Sequence, residues 1–79
     1  MMSQIDSLEL VQRIMVIWEA ELGVPVTPED DFFDLGGDSL LALAVARQAA
    51  AEGMPMQPGA LLRYPVVAAL ADAVRRGAA

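Results

Sequence analysis

The 79-residue chain has no cysteine, no histidine and no lysine. Without cysteine it can form no disulfide and offers no thiol, and no motif of metal ligands supplies a zinc staple instead. A cysteine-free composition fits a reducing cytosol. Without histidine or lysine, few groups titrate near neutrality, and a serine nucleophile lacks the base that normally activates it. Basic residues are limited to five, all arginine, against eleven acids, giving a net charge of −6 and a pI near 4.2. Nucleic-acid binders carry basic patches, so that class is excluded, and partners are expected to present basic surfaces. No apolar run is long enough to span a bilayer. Residues 1–10 show no basic residue ahead of an apolar run, so no secretory signal is read there. The expectation is an acidic, cytoplasmic, monomeric protein that binds neither nucleic acid nor membrane.

What the chain does have is apolar residues, 56% of the total. Leucine, alanine, valine and methionine dominate them, which favours helices over strands. At this length, residues 1–79 read as one domain, close to the size at which a single core barely offsets chain entropy. Over residues 6–22 the pattern is helical: Leu8, Val11, Met15, Trp18 and Leu22 recur at spacings of three and four, and Leu10, Ile14 and Ile17 widen the stripe. Ser3 or Asp6 is a candidate cap, and Gly23 followed by Pro25 is a strong stop. Residues 24–38 form a connection of about fifteen residues, long enough to expect that its own side chains tie it down. Val24, Val26, Phe32, Phe33 and Leu35 are the expected ties, and Thr27 is a candidate cap of a local turn.

A second helix is predicted over residues 39–52, ended by Gly53 and Pro55. Leu40, Leu43 and Arg47 form one line on it, and Leu41, Val45 and Gln48 another. Pro55, Pro58 and Gly59 leave room only for a short helix over residues 59–63. Pro65 suits the first turn of a last helix over residues 65–76, with Val67, Leu70, Ala71 and Val74 inward and Arg75 and Arg76 complementing its C-terminal dipole. The fold class is all-α: a small four-helix bundle of three main helices and one short one.

The chemistry converges on Asp31-Phe32-Phe33-Asp34-Leu35-Gly36-Gly37-Asp38-Ser39-Leu40-Leu41. Two aromatics, a glycine corner and an Asp-Ser pair precede an apolar helix, so a capping oxygen and a hydroxyl both stand at its start. Gly37-Asp38-Ser39-Leu40 spells the motif of a family of serine esterases. Such enzymes require a base to activate serine, and none is available. A calcium loop counted from Asp30 fails as well, because its sixth and twelfth positions are Leu35 and Leu41 rather than glycine and glutamate. Phosphate-loop and dinucleotide fingerprints are absent. What remains is a serine that is acted upon, or one that merely caps a helix. In the first case the bare Gly36-Gly37 corner would let another enzyme's active site approach.

The run from Asp30 to Leu43, D-D-F-F-D-L-G-G-D-S-L-L-A-L, follows Val16-Ile17-Trp18 and Leu22-Gly23-Val24. Together with Tyr64-Pro65-Val66-Val67-Ala68-Ala69-Leu70-Ala71, it resembles the peptidyl carrier (thiolation) domains of nonribosomal peptide synthesis. These belong to the phosphopantetheine-binding, acyl-carrier-protein-like family. The resemblance implies that Ser39 carries a covalent 4′-phosphopantetheine arm derived from coenzyme A, with Gly37 and Asp38 as its flanking motif. It implies a non-catalytic carrier, a substrate of a phosphopantetheinyl transferase, that holds an amino acyl or peptidyl thioester. An adenylation enzyme or domain and condensation or tailoring enzymes would be its partners. The thiol this chain lacks would come with the cofactor. A starting methionine and a domain-length chain fit a free-standing carrier, and an excised domain would look the same.

An acyl or aryl carrier for another carboxylic acid is the alternative, and an unmodified acidic interaction module is a more distant one. Leu41 is assigned to a partner interface, because Leu40 and Leu43 define a core line. Two departures from the family pattern stand out. Val66 replaces the threonine usual at the start of the last helix, and residues 54–59 are unusually rich in proline and methionine.

Overall fold

Leu10, Ile14, Ile17 and Trp18 form the buried stripe of the first helix, α1 (Ser7–Leu22). They follow the three-and-four spacing that puts side chains on one face. Val11, Met15 and Leu22 flank this stripe half-buried, whereas Leu8 is exposed and takes no part in the core. The computed structural model describes residues 7–79, so the candidate caps Ser3 and Asp6 lie outside the described residues. The helix ends at Gly23, whose N–H donates to the Glu19 carbonyl at 2.8 Å.

Three further helices follow: α2 (Ser39–Ala51), α3 (Ala60–Arg63) and α4 (Val67–Arg75). Among the described residues there is no strand, only one isolated bridge between Asp31 and Val66. Helix α1 packs against both α2 and α4, and α3 leans on α2. This is the helical bundle that the apolar periodicity implied. No described helix is long and apolar enough to cross a membrane.

The buried face of α2 is Ala42, Val45, Ala46 and Ala49. Small residues let two helix backbones approach closely, so an alanine stripe packs as well as a leucine one when its neighbour supplies the bulk. Here α1 packs against α2 and contributes Ile14, Ile17 and Trp18 to the core they share. At the C-terminus of α2, Gly53 adopts φ +87° and closes the helix: its N–H donates to the Ala50 carbonyl at 3.1 Å, and the Met54 N–H reaches Ala49 at 2.8 Å. Only glycine takes that conformation without strain. The turn delivers Met54 into the core, where it is completely buried. The proline- and methionine-rich residues 54–59 therefore carry a core residue.

The long connection is held by fewer side chains than its sequence implies and by more backbone. Val26 and Phe32 are buried and Phe33 and Leu35 half-buried, but Val24 is exposed and ties nothing down. The turn at Thr27 is closed by the Asp30 carboxylate, which accepts the Thr27 N–H at 2.7 Å. Asp31 does the same for the next turn, accepting the Phe33 and Asp34 N–H groups at 2.8 and 3.1 Å. The connection is then stitched to the beginning of α4. Phe32 N–H donates to the Pro65 carbonyl at 2.7 Å, Val67 N–H to Asp30 at 3.4 Å, and Ala68 N–H to Pro28 at 3.0 Å.

This stitching corrects the expected start of the last helix. Pro65 does not sit in its first turn. Val66 is the N-cap residue, extended at φ −101° and ψ 136°, and the helix begins at Val67. An extended Pro65-Val66 pair is what allows the bridge to Asp31 and the bond from Phe32. Helix starts leave amides without partners. Here loop carbonyls accept the Val67 and Ala68 N–H groups, although Val66 has no side-chain oxygen to offer.

Candidate functional site

The site is the beginning of α2. Asp38 is its N-cap, extended at φ −138°, and its carboxylate Oδ1 accepts the Leu41 N–H at 2.9 Å. The Ala42 N–H donates to the Asp38 carbonyl at 2.8 Å. Ser39 is the first helical residue, and it is exposed. Asp38 therefore takes the capping role that the sequence left open between the two. The Ser39 hydroxyl is spared, and no described residue hydrogen-bonds to it. Its position at the positive end of the α2 dipole, beside first-turn amides, favours an attached anion.

Each glycine of the corner has its own physical reason. Gly36 adopts φ +101°, with open space around it. Gly37 is set by contact instead. A Cβ there would fall on the Phe32 ring and lie 2.7 Å from the Phe32 carbonyl oxygen. A side chain at Gly37 has no room, because the Phe32 ring fills its space. The Phe32 ring is wholly buried, with its centroid 4.9 Å from Trp18 in an edge-on arrangement, and Phe33 stands edge-on to it at 5.4 Å. Trp18 is accordingly core, although its indole Nε1 has no hydrogen-bond partner among the described residues.

The residues after the serine reverse one expectation. Leu40 is 78% exposed, while Leu41 is half-buried and packs against the core. Leu40 is thus no core residue, and Leu41 is not freed for a partner by it. The signal was present in the sequence. Ala42, Val45, Ala46 and Ala49 repeat at three-and-four spacing, and Leu40 lies roughly opposite that stripe.

The surroundings are acidic. Glu29, Asp30, Asp31, Asp34 and Asp38 precede the serine, and no basic residue occurs between Arg13 and Arg47. Among the described residues no group of histidine, cysteine, aspartate or glutamate is placed to hold a metal ion. A serine hydroxyl without a neighbouring base does not activate itself. What the arrangement offers is an unengaged, exposed hydroxyl on a rigid helix start.

Residues 12–74 match the family model described as "Phosphopantetheine attachment site". Among curated proteins, the chain is 49% identical over 59 residues to a phenolphthiocerol/phthiocerol polyketide synthase component of Mycobacterium tuberculosis, covering 73% of this chain and 4% of that protein. It is 36% identical over 74 residues to a linear gramicidin synthase component of Brevibacillus parabrevis, covering 92% of this chain and 2% of that protein. The chain thus spans only a few per cent of the length of these relatives. A solved structure described as a "Non Ribosomal PCP domain" superposes with a TM-score of 0.76 at 30% identity, over 91% of this chain and 92% of that one. The matched span, residues 12–74, takes in the whole of α2, α3 and the loop before Ser39. The chain belongs to the phosphopantetheine-binding carrier domains, a non-catalytic family that holds 4′-phosphopantetheine covalently.

Proposed function

We propose that Ser39 is the attachment point of the 4′-phosphopantetheine arm, and that the arm holds an amino acyl or peptidyl group as a thioester. The observation that carries this reading is the unengaged Ser39 hydroxyl, exposed at the first position of α2 while Asp38 does the capping. The chain has no base of its own for this oxygen, so the modification is done by a phosphopantetheinyl transferase. Ser39 Oγ forms a bond to the pantetheine-bearing phosphorus of coenzyme A, and the pyrophosphate bond breaks. Adenosine 3′,5′-bisphosphate leaves, and the hydroxyl proton passes to a base of the transferase. The new phosphodiester then lies by the first-turn amides of α2. With no cysteine in the chain, the arm supplies the working thiol. The carrier's contribution is a high effective concentration of the bound group at each partner enzyme.

An adenylation enzyme would load the arm, and condensation or tailoring enzymes would use it, in the cytoplasm where coenzyme A is available. The similarity to linear gramicidin synthase and to the peptidyl carrier structure supports an amino acyl cargo. A second reading, an acyl group of a polyketide pathway, is favoured by the 49% identity to a polyketide synthase.

Incubation with coenzyme A, magnesium and a broad-specificity phosphopantetheinyl transferase, followed by intact-protein mass measurement, tests the attachment. One phosphopantetheine mass should be added to the wild type and none to Ser39→Ala. No addition to the wild type would instead indicate an unmodified interaction module. Offering the modified protein to adenylating enzymes with amino acids, and separately to acyltransferases with acyl-coenzyme A thioesters, separates the two cargo classes.

A further inference from the structure

With no hydrogen bond to the Ser39 hydroxyl among the described residues, its place is set by the backbone leading to it. That backbone is held at Gly37. The Gly37 N–H donates to the Phe32 carbonyl at 3.0 Å, and its α-carbon lies against the Phe32 ring so closely that no Cβ fits. The ring has little freedom to yield, being wholly buried and edge-on to Trp18 of α1. The Phe32 N–H is fixed in turn by the Pro65 carbonyl ahead of α4. One residue thus joins α1 through its ring, the start of α4 through its amide, and the approach to α2 through its carbonyl.

We infer that the Phe32 ring and the side-chain-free face of Gly37 form a seat that positions the Ser39 hydroxyl for phosphopantetheine transfer. Both are positioning residues and neither touches the reacting atoms. The inference rests on Ser39 being the attachment site. Its physical basis is that the body of α2 is anchored separately, by Ala42, Val45, Ala46 and Ala49. A side chain added at Gly37 therefore displaces residues 36–39 against the rest of the helix. Exposed Leu40 and the outer face of α2 stay available for docking, so the loss falls on the transfer step and not on association. Misplacing a reacting atom by an ångström costs as much as about a hundredfold in rate.

The test measures initial rates of modification by a phosphopantetheinyl transferase over a range of carrier concentrations. The wild type is compared with Gly37→Ala, Phe32→Leu and a remote core control, Leu70→Val in α4. Circular dichroism and thermal melts are recorded for each, and rates are read below the lowest melting temperature. Gly37→Ala and Phe32→Leu should keep their helix content and lose about 10- to 100-fold in kcat, with KM within about threefold of wild type. Leu70→Val should lower the melting temperature and leave both constants within about twofold. A folded Phe32→Leu or Gly37→Ala with wild-type kcat overturns the inference, as does a loss in all three variants that follows stability alone. Nuclear Overhauser contacts between the Gly37 α-protons and the Phe32 ring should be strong in the wild type, and their absence overturns the seat even if neither variant folds. Ser39→Ala run alongside keeps the two ideas apart. Modification of that variant, or none of the wild type, rejects the attachment site; a normal Gly37→Ala beside a blocked Ser39→Ala rejects only the seat.

Discussion

The carboxylate of Asp38 holds the backbone N–H of Leu41 at 2.9 Å, reaching over Ser39 without engaging its hydroxyl. Residues before, at and after the serine thereby divide three jobs. Asp38 caps the helix, the Ser39 hydroxyl takes no hydrogen bond from the described residues, and Leu40 stands in solvent while Leu41 packs at the core edge.

Asp38→Ala should lower stability by about 1 kcal/mol, the usual cost of a lost N-cap. For a domain of this size that is a fall of roughly 4–8 °C in Tm. Asp38→Ser keeps a capping oxygen and should lose little. Thermal denaturation of the three proteins by circular dichroism checks the ordering; equal melting temperatures for wild type and Asp38→Ala would contradict it.

Leu40 and Leu41 should separate cleanly in mutagenesis. Leu40→Ala changes an exposed side chain and should shift stability by no more than about 0.5 kcal/mol. Its effect should appear in partner enzymes, as a loading rate lowered about five- to tenfold through KM, the size of a typical interface anchor. Leu41→Glu puts a charge against the core and should lower the melting temperature by many degrees. Loading kinetics and melts of both variants, measured side by side, decide it.

Val66→Thr should stabilise the protein. Val66 already has the extended conformation of an N-cap residue, and α4 has no side-chain cap. A threonine oxygen would reach the Ala69 N–H, the first-turn amide that the Pro28 and Asp30 carbonyls do not serve, for a gain of about 0.5–1 kcal/mol. A lower melting temperature would show instead that the valine methyls, half-buried against the loop, matter more than the missing oxygen.

At the end of α4, Asp72 lies 2.6 Å from Arg75 and 2.7 Å from Arg76. The hydrogen bond from Arg75, then that from Arg76, holds the Asp72 carboxyl below its ordinary value. A carboxylate lowered on folding stabilises the native state fully above its unfolded pKa, and the contribution disappears as pH falls through the lower, folded value. Asp72→Asn should therefore melt below wild type at neutral pH, and the two curves should converge in acid. Because the cluster is exposed, added salt should shrink the gap as well. A gap that persists at the acid end would assign the effect to helix propensity rather than charge.

Much of this architecture was legible in local sequence. The spacing of Leu10, Ile14, Ile17 and Trp18 marks α1, and Gly53 with Pro55 marks the end of α2, because periodicity and backbone freedom are properties of short segments. The candidate site was legible through its motif, Gly36-Gly37-Asp38-Ser39. Its internal division of labour was not. Which of Asp38 and Ser39 caps depends on where the first helical turn closes, and that is set by the loop's attachment elsewhere. Leu40, expected on the core line, is exposed for a related reason. The inward face of α2 is chosen by what α1 presents, and α1 accommodates alanines.

By itself, the sequence determined an all-helical chain, the placement of a serine at a helix start, and a side-chain inventory without histidine, lysine or cysteine. These follow from composition, turn chemistry and side-chain inventory, none of which needs a partner segment. Only the tertiary structure decided that Gly37 is bare because the Phe32 ring occupies its space, and that α4 starts at Val67 because Pro28 and Asp30 meet it there. Both are contacts between residues far apart in the chain or folded back on each other. Their energies arise only once the core has brought those backbones together.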